Sequence, residues 1–394
     1  MKEIYLDNSA TTPLDPKVEE AMLPYFREFF GNPSSLHKKG VEAERGIKEA
    51  RRILADMLHV KTSEVLFTSG ATEADNLAIL GIARAYKKRG NHIITQKTEH
   101  KAVLASCRAL KRDGFDITFL DVDEFGNVDV EDLLNAINDK TILIAIMHVN
   151  NEIGAIHPIN ELARVAKRKK HDIIFFSDGV QALGKLEVDL SNIDLYAISA
   201  HKIHGPKGVG ALIKKESVNI EPIIYGGGQE SGLRGGTENV AGIVGLGKAV
   251  ELAYEDFTGK QKHFKDLQER FLSFCNPSGS ITGINDVRIN SPRGSTPRSK
   301  EVSAIVNVGF RGIPAEVLLH ALEQEGVYAS AGSACVGNRN QMSHVLKAIN
   351  VPSDYIKNSL RFGFSRFTTL KDIDFTCEVL KKKVEELRVV TMEK

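Results

Sequence analysis

What this sequence lacks first is charge of one sign: 52 Lys and Arg stand against 51 Asp and Glu, a formal net charge of +1. Neither a nucleic-acid nor a membrane-surface role finds its electrostatic footprint there. Cysteine is also scarce. Cys107, Cys275, Cys335 and Cys377 are widely separated and form no C-x-x-C pair, so free thiols are expected, one of them a candidate for reactivity. His201 and His204 have no cysteine or histidine partner at metal-ligand spacing, so no metal site is expected. No run approaches the roughly 20 apolar residues that cross a bilayer, and the first residues carry no apolar leader. A cytoplasmic, soluble protein is the expectation. Hydrophobic residues at 42% and charged residues at 26%, with 12 Pro and 33 Gly, exclude disordered and collagen-like chains. The length allows two or three domains and a core large enough to need no disulfide.

From about residue 64 to 213, short apolar runs alternate with helix-like segments, the pattern of a parallel sheet covered on both faces. Strands are expected at 64–68, 92–95, 117–120, 142–147, 173–177, 194–198 and 209–213. Residues 239–274 read as one long or broken helix leading out of this α/β unit. After it, strands near 281–289, 302–308 and 359–365, with helices over 314–325 and 370–387, suggest a smaller α+β unit. The expected division is a large unit at 15–255 and a smaller one made of 1–14 and 256–394. The stretch 290–300, rich in Ser, Pro, Arg and Gly, reads as a mobile loop.

Four groups of residues could carry chemistry. Thr68-Ser-Gly-Ala-Thr-Glu-Ala-Asp-Asn76 joins a strand to a helix, where small residues let backbone N–H groups face an anion. Gly70 and Thr72 alone fit a plain helix cap equally well. Ser199-Ala-His-Lys-Ile-His-Gly-Pro-Lys-Gly-Val-Gly210 places lysines at a strand end, where one could form a Schiff base. Standing alone, the segment reads better as placing Lys202 or Lys207 in a solvated loop. Asp178 ends another strand and could face a protonated pyridine nitrogen or cap a helix. His100 and the Asn150-Asn151 pair also follow strands, where open parallel sheets bind ligands.

Together with Asp7-Asn-Ser-Ala-Thr-Thr12, Gly31-Asn-Pro-Ser-Ser-Leu-His37, Glu99-His100, Val149-Asn-Asn-Glu-Ile-Gly154 and Gly226-Gly-Gly-Gln229, these motifs resemble the cysteine desulfurases. The resemblance is to the NifS/IscS branch of the fold-type I pyridoxal-phosphate enzymes, in the class-V aminotransferase family, and runs from about Tyr5 to Thr369. It implies pyridoxal 5'-phosphate as cofactor. Lys202 would hold it covalently and move the substrate Cα proton, Asp178 would pair with the pyridinium nitrogen, and Gln181 would bond the phenolic oxygen. His100 would stack on the ring and act as acid and base. Ala71 and Thr72, with Ser199 and His201, would hold the phosphate, joined by Thr237 from the other subunit of a homodimer. Arg361 would clamp the substrate carboxylate, Asn151 would assist there and at the ring oxygen, and Asn8 would lie nearby.

By the same resemblance, Cys335 in its Gly- and Ser-flanked loop would take sulfur from L-cysteine as a persulfide while alanine leaves. The sulfur would go to an acceptor protein, such as an iron-sulfur assembly scaffold, or into tRNA thiolation. A selenocysteine lyase or an aminotransferase-like enzyme would share every cofactor residue, and Cys335 separates the readings. Cys107 and Cys377 fall in helical patterns as small core residues, and Cys275 has no evident role. Three features depart from the family: Gly179 follows Asp178 where many relatives have Ala, which suggests looser packing; residues 336–342 replace a Ser/Thr-rich run; and 290–300 looks long.

Overall fold

Short segments built around apolar residues are buried on both sides only where layers cover both sides of them. In the computed structural model, which describes residues 3–275, 284–294, 299–331 and 342–392, seven such segments meet in one sheet. Apart from it lies β1 (Ile4–Tyr5); the sheet itself comprises β2 (Val65–Thr68), β3 (His92–Gln96), β4 (Asp116–Leu120), β5 (Thr141–Ala145), β6 (Ile174–Asp178), β7 (Leu195–Ser199) and β8 (Gly210–Lys214). The order is β2-β8-β7-β6-β5-β3-β4, parallel throughout except for β8, which runs antiparallel to β2 and β7. Alternate side chains separate into two cores, as the two-residue repeat of a strand requires. Ile144, Phe175 and Ile198 pack with Leu54 and Leu246, from the helices Lys38–Met57 and Val240–Tyr254. Leu143, Phe176 and Ala197 pack with Ala78 and Cys107, from the helices Ala71–Tyr86 and Lys101–Arg112. This is the helix-covered, mainly parallel α/β architecture expected from the sequence.

A second core is built on β9 (Val287–Ile289), β10 (Ile305–Phe310), β11 (Val327–Tyr328) and β12 (Ser359–Gly363). β12, β10 and β9 form an antiparallel sheet, while β1 pairs in parallel with β11. Phe271 stacks among Phe362 and Phe364, at ring-centroid distances of 4.7 and 5.9 Å, and so joins the helix Phe257–Phe274 to this sheet. Of the two forms expected at 239–274, one long helix or a broken one, the structure has the broken one. Asp256 adopts a left-handed backbone (φ 45°), and its carboxylate caps the second helix by accepting from the Gly259 N–H.

The stretch 290–300 is not loose at its described ends. Asn290, Ser291 and Ser299 are buried. Asn290 Nδ2 donates to Asn307 Oδ1 and Ser359 Oγ at 2.8 and 2.9 Å, and Ser291 Oγ accepts from the Asn307 N–H at 2.9 Å. Residues 295–298 lie outside the described residues. Cys107, Cys275 and Cys377 are free and buried, and burial pushes the Cys107 and Cys275 thiols up to about 12. Among the described residues no helix is long and apolar enough to cross a membrane.

Gly179 corrects the expectation of looser packing. A Cβ there would lie 1.9 Å from Cζ and 2.1 Å from Cε1 of Tyr196. That ring is wholly buried, and its hydroxyl bonds His148 Nδ1 at 2.8 Å. The missing methyl makes room for a tyrosine. Gly179→Ala is therefore expected to destabilise the protein by about 1–3 kcal/mol through overpacking, read as a lower midpoint of urea unfolding. An unchanged midpoint would mean that the Tyr196 ring yields freely.

Candidate active site

In an open parallel sheet the ligand crevice lies beyond the carboxyl ends of the strands. Here five strands deliver their following residues to one cavity of about 550 Å³. β2 leads to Gly70, Ala71 and Thr72, β3 to His100, β5 to Asn151, β6 to Asp178 and Gln181, and β7 to Ser199, His201 and Lys202. β8 is antiparallel, so its start also faces this end. Gly210 is pressed against Gly70, where a Cβ would lie 2.8 Å from the Gly70 Cα. From the second sheet, β12 contributes Arg361.

The segment Asp7–Thr12 ties these groups together. Lys202 Nζ donates to the carbonyls of Ser9 and Ala10, both at 2.6 Å. Gln181 Nε2 donates to the same Ser9 carbonyl at 2.9 Å. Thr12 donates through its N–H and its hydroxyl to the His201 carbonyl at 2.9 and 3.0 Å. Arg361 Nη2 pairs with Asp7 Oδ1 at 2.9 Å, and Nη1 donates to the Asn151 carbonyl at 2.9 Å. Arg361 Nε is buried without a hydrogen-bond partner.

The helix Ala71–Tyr86 opens on the cavity with no side chain capping it. Its first N–H groups are therefore available to an anion. At Gly70 (φ 150°) a Cβ would meet nothing nearer than Ser199 Oγ at 3.9 Å, so the turn forms an open cradle. Asp178 Oδ1 accepts from the Val180 N–H at 3.0 Å. His100 caps the helix Lys101–Arg112, its Nδ1 accepting from the Ala102 N–H at 3.2 Å.

Two of the expected residues lie outside this chain's cavity, Thr237 having been expected at the partner's. Asn8 does not line the cavity; its amide donates to the Tyr5 and Gly363 carbonyls at 3.0 and 2.8 Å, locking the segment to β12. Thr237 is exposed and does not line the cavity of its own chain. Lys207 lies on the rim and is exposed. Cys335 falls in 332–341, outside the described residues.

Several groups escaped the sequence reading. Asp7 and Glu152 line the cavity, and Glu152 accepts from the Ser343 hydroxyl. Asp75 is wholly buried with neither carboxylate oxygen bonded, and ligating atoms of Asp75, His100 and Asp178 all lie within 4.8 Å of one another. The available signal was an acid amid Ala74, Leu77 and Ala78 on the apolar face of its helix.

Burial governs the charges. It pushes Asp75 well above the usual carboxylate range, reinforced by Asp178 and Glu99. Asp178 is likewise raised by burial, against the pull of His100 and Lys202. His100 is lowered by burial, and His201 falls to about 4 through burial and the neighbouring Lys202. Glu99 rises to about 8 through burial, although its Oε1 accepts from Gln96 Nε2 at 2.8 Å and the Met147 N–H at 2.6 Å.

The sequence profile of the family described as Aminotransferase class-V matches residues 4–375. A protein of Dictyoglomus turgidum named cysteine desulfurase IscS is 45% identical over 392 residues, covering 99% of this chain and 96% of its own length. A solved structure described as a NifS-like protein superposes with a TM-score of 0.90 at 34% identity, covering 98% of this chain and 100% of its own. Another, described as SspA in complex with cysteine, gives a TM-score of 0.78 at 34% identity, over 93% of this chain and 100% of its own.

The Glu99 shift has a testable sign. The unfolded chain releases this proton near 4.5, whereas the folded chain keeps it to about 8. Stability from this group is therefore greatest at low pH and falls as pH rises from 4.5 to 8. Glu99→Gln keeps the Oε1 acceptor and has no proton to lose. Relative to wild type the variant is expected to gain about 1–4 kcal/mol between pH 5 and 8, measured by denaturant unfolding across that range. A pH-independent difference would rule the shift out.

Proposed function

The chain belongs to the class-V aminotransferase family, and from that premise we propose that it is a pyridoxal-phosphate-dependent cysteine desulfurase. The observation that carries the reading is the convergence of Lys202, Asp178, Gln181, His100 and an uncapped helix start on one cavity closed by Arg361. The donor set fits the cofactor. The Gly70–Thr72 cradle, with Ser199 and His201, would hold a phosphate at the helix N-terminus. Asp178, whose carboxylate resists charge because it is buried, would be stabilised as an anion by a cationic ring nitrogen. When bound, pyridoxal phosphate supplies the electron sink that makes a substrate Cα–H acidic.

The chain's own groups do the rest. Lys202 holds the cofactor through Nζ, and its amine takes the substrate Cα proton once free. Its two carbonyl partners at 2.6 Å aim it from the Ser9–Ala10 backbone. Arg361 binds the substrate carboxylate, with which Asp7 competes for Nη2; Asn151 lies beside it. His100, lowered by burial toward neutral imidazole, exchanges the proton of the substrate thiol. Cys335 as thiolate attacks that sulfur. The balance is L-cysteine plus a thiol giving L-alanine plus a persulfide. An acceptor protein, an iron-sulfur scaffold or sulfur carrier, then takes the sulfur. We assign Thr237 to the partner's site in a homodimer. Residues 15–255 form the cofactor-binding unit, and 1–14 with 256–394 the unit that carries the thiol. Buried free thiols at Cys107, Cys275 and Cys377 suit a reducing, cytoplasmic compartment.

Incubation with pyridoxal phosphate and L-cysteine, followed by mass spectrometry, is expected to add about 32 Da, one sulfur, to the Cys335 peptide, with alanine released in parallel. Cys335→Ser is expected to keep the cofactor and lose both products. Cofactor bound at Lys202 without persulfide or alanine would overturn the desulfurase reading and leave amino-group transfer or selenocysteine cleavage to be assayed.

A further inference from the structure

Lys185 is a buried lysine that the mechanism above does not use. After β6 the chain makes a helical turn: Ala182 and Leu183 N–H donate to the Gly179 carbonyl at 3.0 Å, and Leu186 N–H donates to that of Ala182 at 2.9 Å. Gln181 and Lys185 are four residues apart on this turn and share a face. Lys185 is 8% exposed, and its Nζ donates to Gln181 Oε1 at 3.3 Å. Beside it a cavity of about 30 Å³ is lined by Asn8, Lys185, Lys202, His204, Lys260 and Arg366, with no carboxylate. The other basic side chains have their own partners, and His204 is lowered by burial to about 4. Lys260 caps the Leu252 and Glu255 carbonyls, Arg366 pairs with Asp15, and His204 Nδ1 bonds the Pro13 carbonyl.

The amide of Gln181 is therefore held between a donor and an acceptor. An ammonium only donates and a carbonyl only accepts. Oε1 must face Lys185, and Nε2 must face the Ser9 carbonyl, which lies 2.9 Å away and also receives Lys202 Nζ at 2.6 Å. Nε2 has a second hydrogen, and Gln181 lines the main cavity. We propose that Lys185 is a positioning residue: it fixes the Gln181 amide so that its second N–H is presented to an acceptor oxygen on the bound cofactor ring. The inference rests on the cofactor reading above. Burial and the neighbouring Lys202 lower Lys185 to about 7, so this orientation is enforced most strongly below that pH.

The test is the pH titration of the visible absorption band of the holoenzyme. A donor on the ring oxygen favours its anionic form, so losing the donor makes the chromophore hold its proton to higher pH. Lys185→Met, matched in volume, is expected to raise the midpoint by about half a unit or more. Gln181→Leu should raise it as well, and Lys185→Met should add nothing in that background. Melting of the cofactor-free proteins reports separately on folding. Lys185→Gln replaces the methionine variant if that one does not fold. An amide can donate or accept and no longer enforces the orientation, so the same upward direction is expected. A wild-type band with unmoved Lys185 variants overturns this inference alone, as does a Lys185 shift that persists undiminished in Gln181→Leu. A wild-type protein that shows no cofactor band overturns the cofactor reading together with it.

Discussion

The Ser9 carbonyl is the point on which the site depends. It accepts from Lys202 Nζ and Gln181 Nε2 at once, so residues delivered by two strands of the large sheet are registered against one backbone atom. The neighbouring residues extend the tie. Asp7 holds Arg361, Asn8 holds the Gly363 carbonyl, and Thr12 holds the turn after β7. Side chains anchored to a backbone strap are held more tightly than side chains anchored to each other, because the strap is itself fixed along its length. The result is a cavity whose chemical groups are aimed before any ligand arrives.

The second constraint is electrostatic. Asp178 lines the cavity and Asp75 and Glu99 are buried near it, all three raised by burial, while His100, His201 and Lys185 are lowered by it. Acids and bases are thus pushed toward their neutral forms. Buried groups held near neutrality respond strongly to a single charge brought beside them, since little solvent screens the field there. A cationic ring nitrogen beside Asp178 and an anion at the Gly70 cradle would each meet that response.

The large sheet was legible because a strand buried on both faces is largely apolar, and the runs at 142–147 and 173–176 are apolar throughout. β1 and β11 were not, since two residues carry no period. A break in the helix at 239–274 was foreseen as an alternative but not placed at Asp256, because a left-handed turn at an aspartate leaves no mark in hydrophobic spacing. Lys202, Asp178 and His100 were visible as polar residues at strand ends, but their roles came from resemblance. Asn8 was expected near substrate and instead ties the strap to β12; its motif neighbours could not say which of them points inward. Lys185 and Asp75 escaped because they stand behind the cavity wall, where contact is set by the packing of distant segments.

The strap also has a meaning in time. Asn8 and the carbonyl that holds it, Gly363, are 355 residues apart in the chain. At a synthesis rate of roughly 5–20 residues per second, the interval between making the two is about 20–70 s. The large sheet can be complete well before that interval ends, with Lys202 in place but the segment that aims it not yet pinned to β12. Pinning the strap to β12 is then the closing of a very long loop, and until it closes the nascent chain has a formed sheet and an unfinished reaction centre.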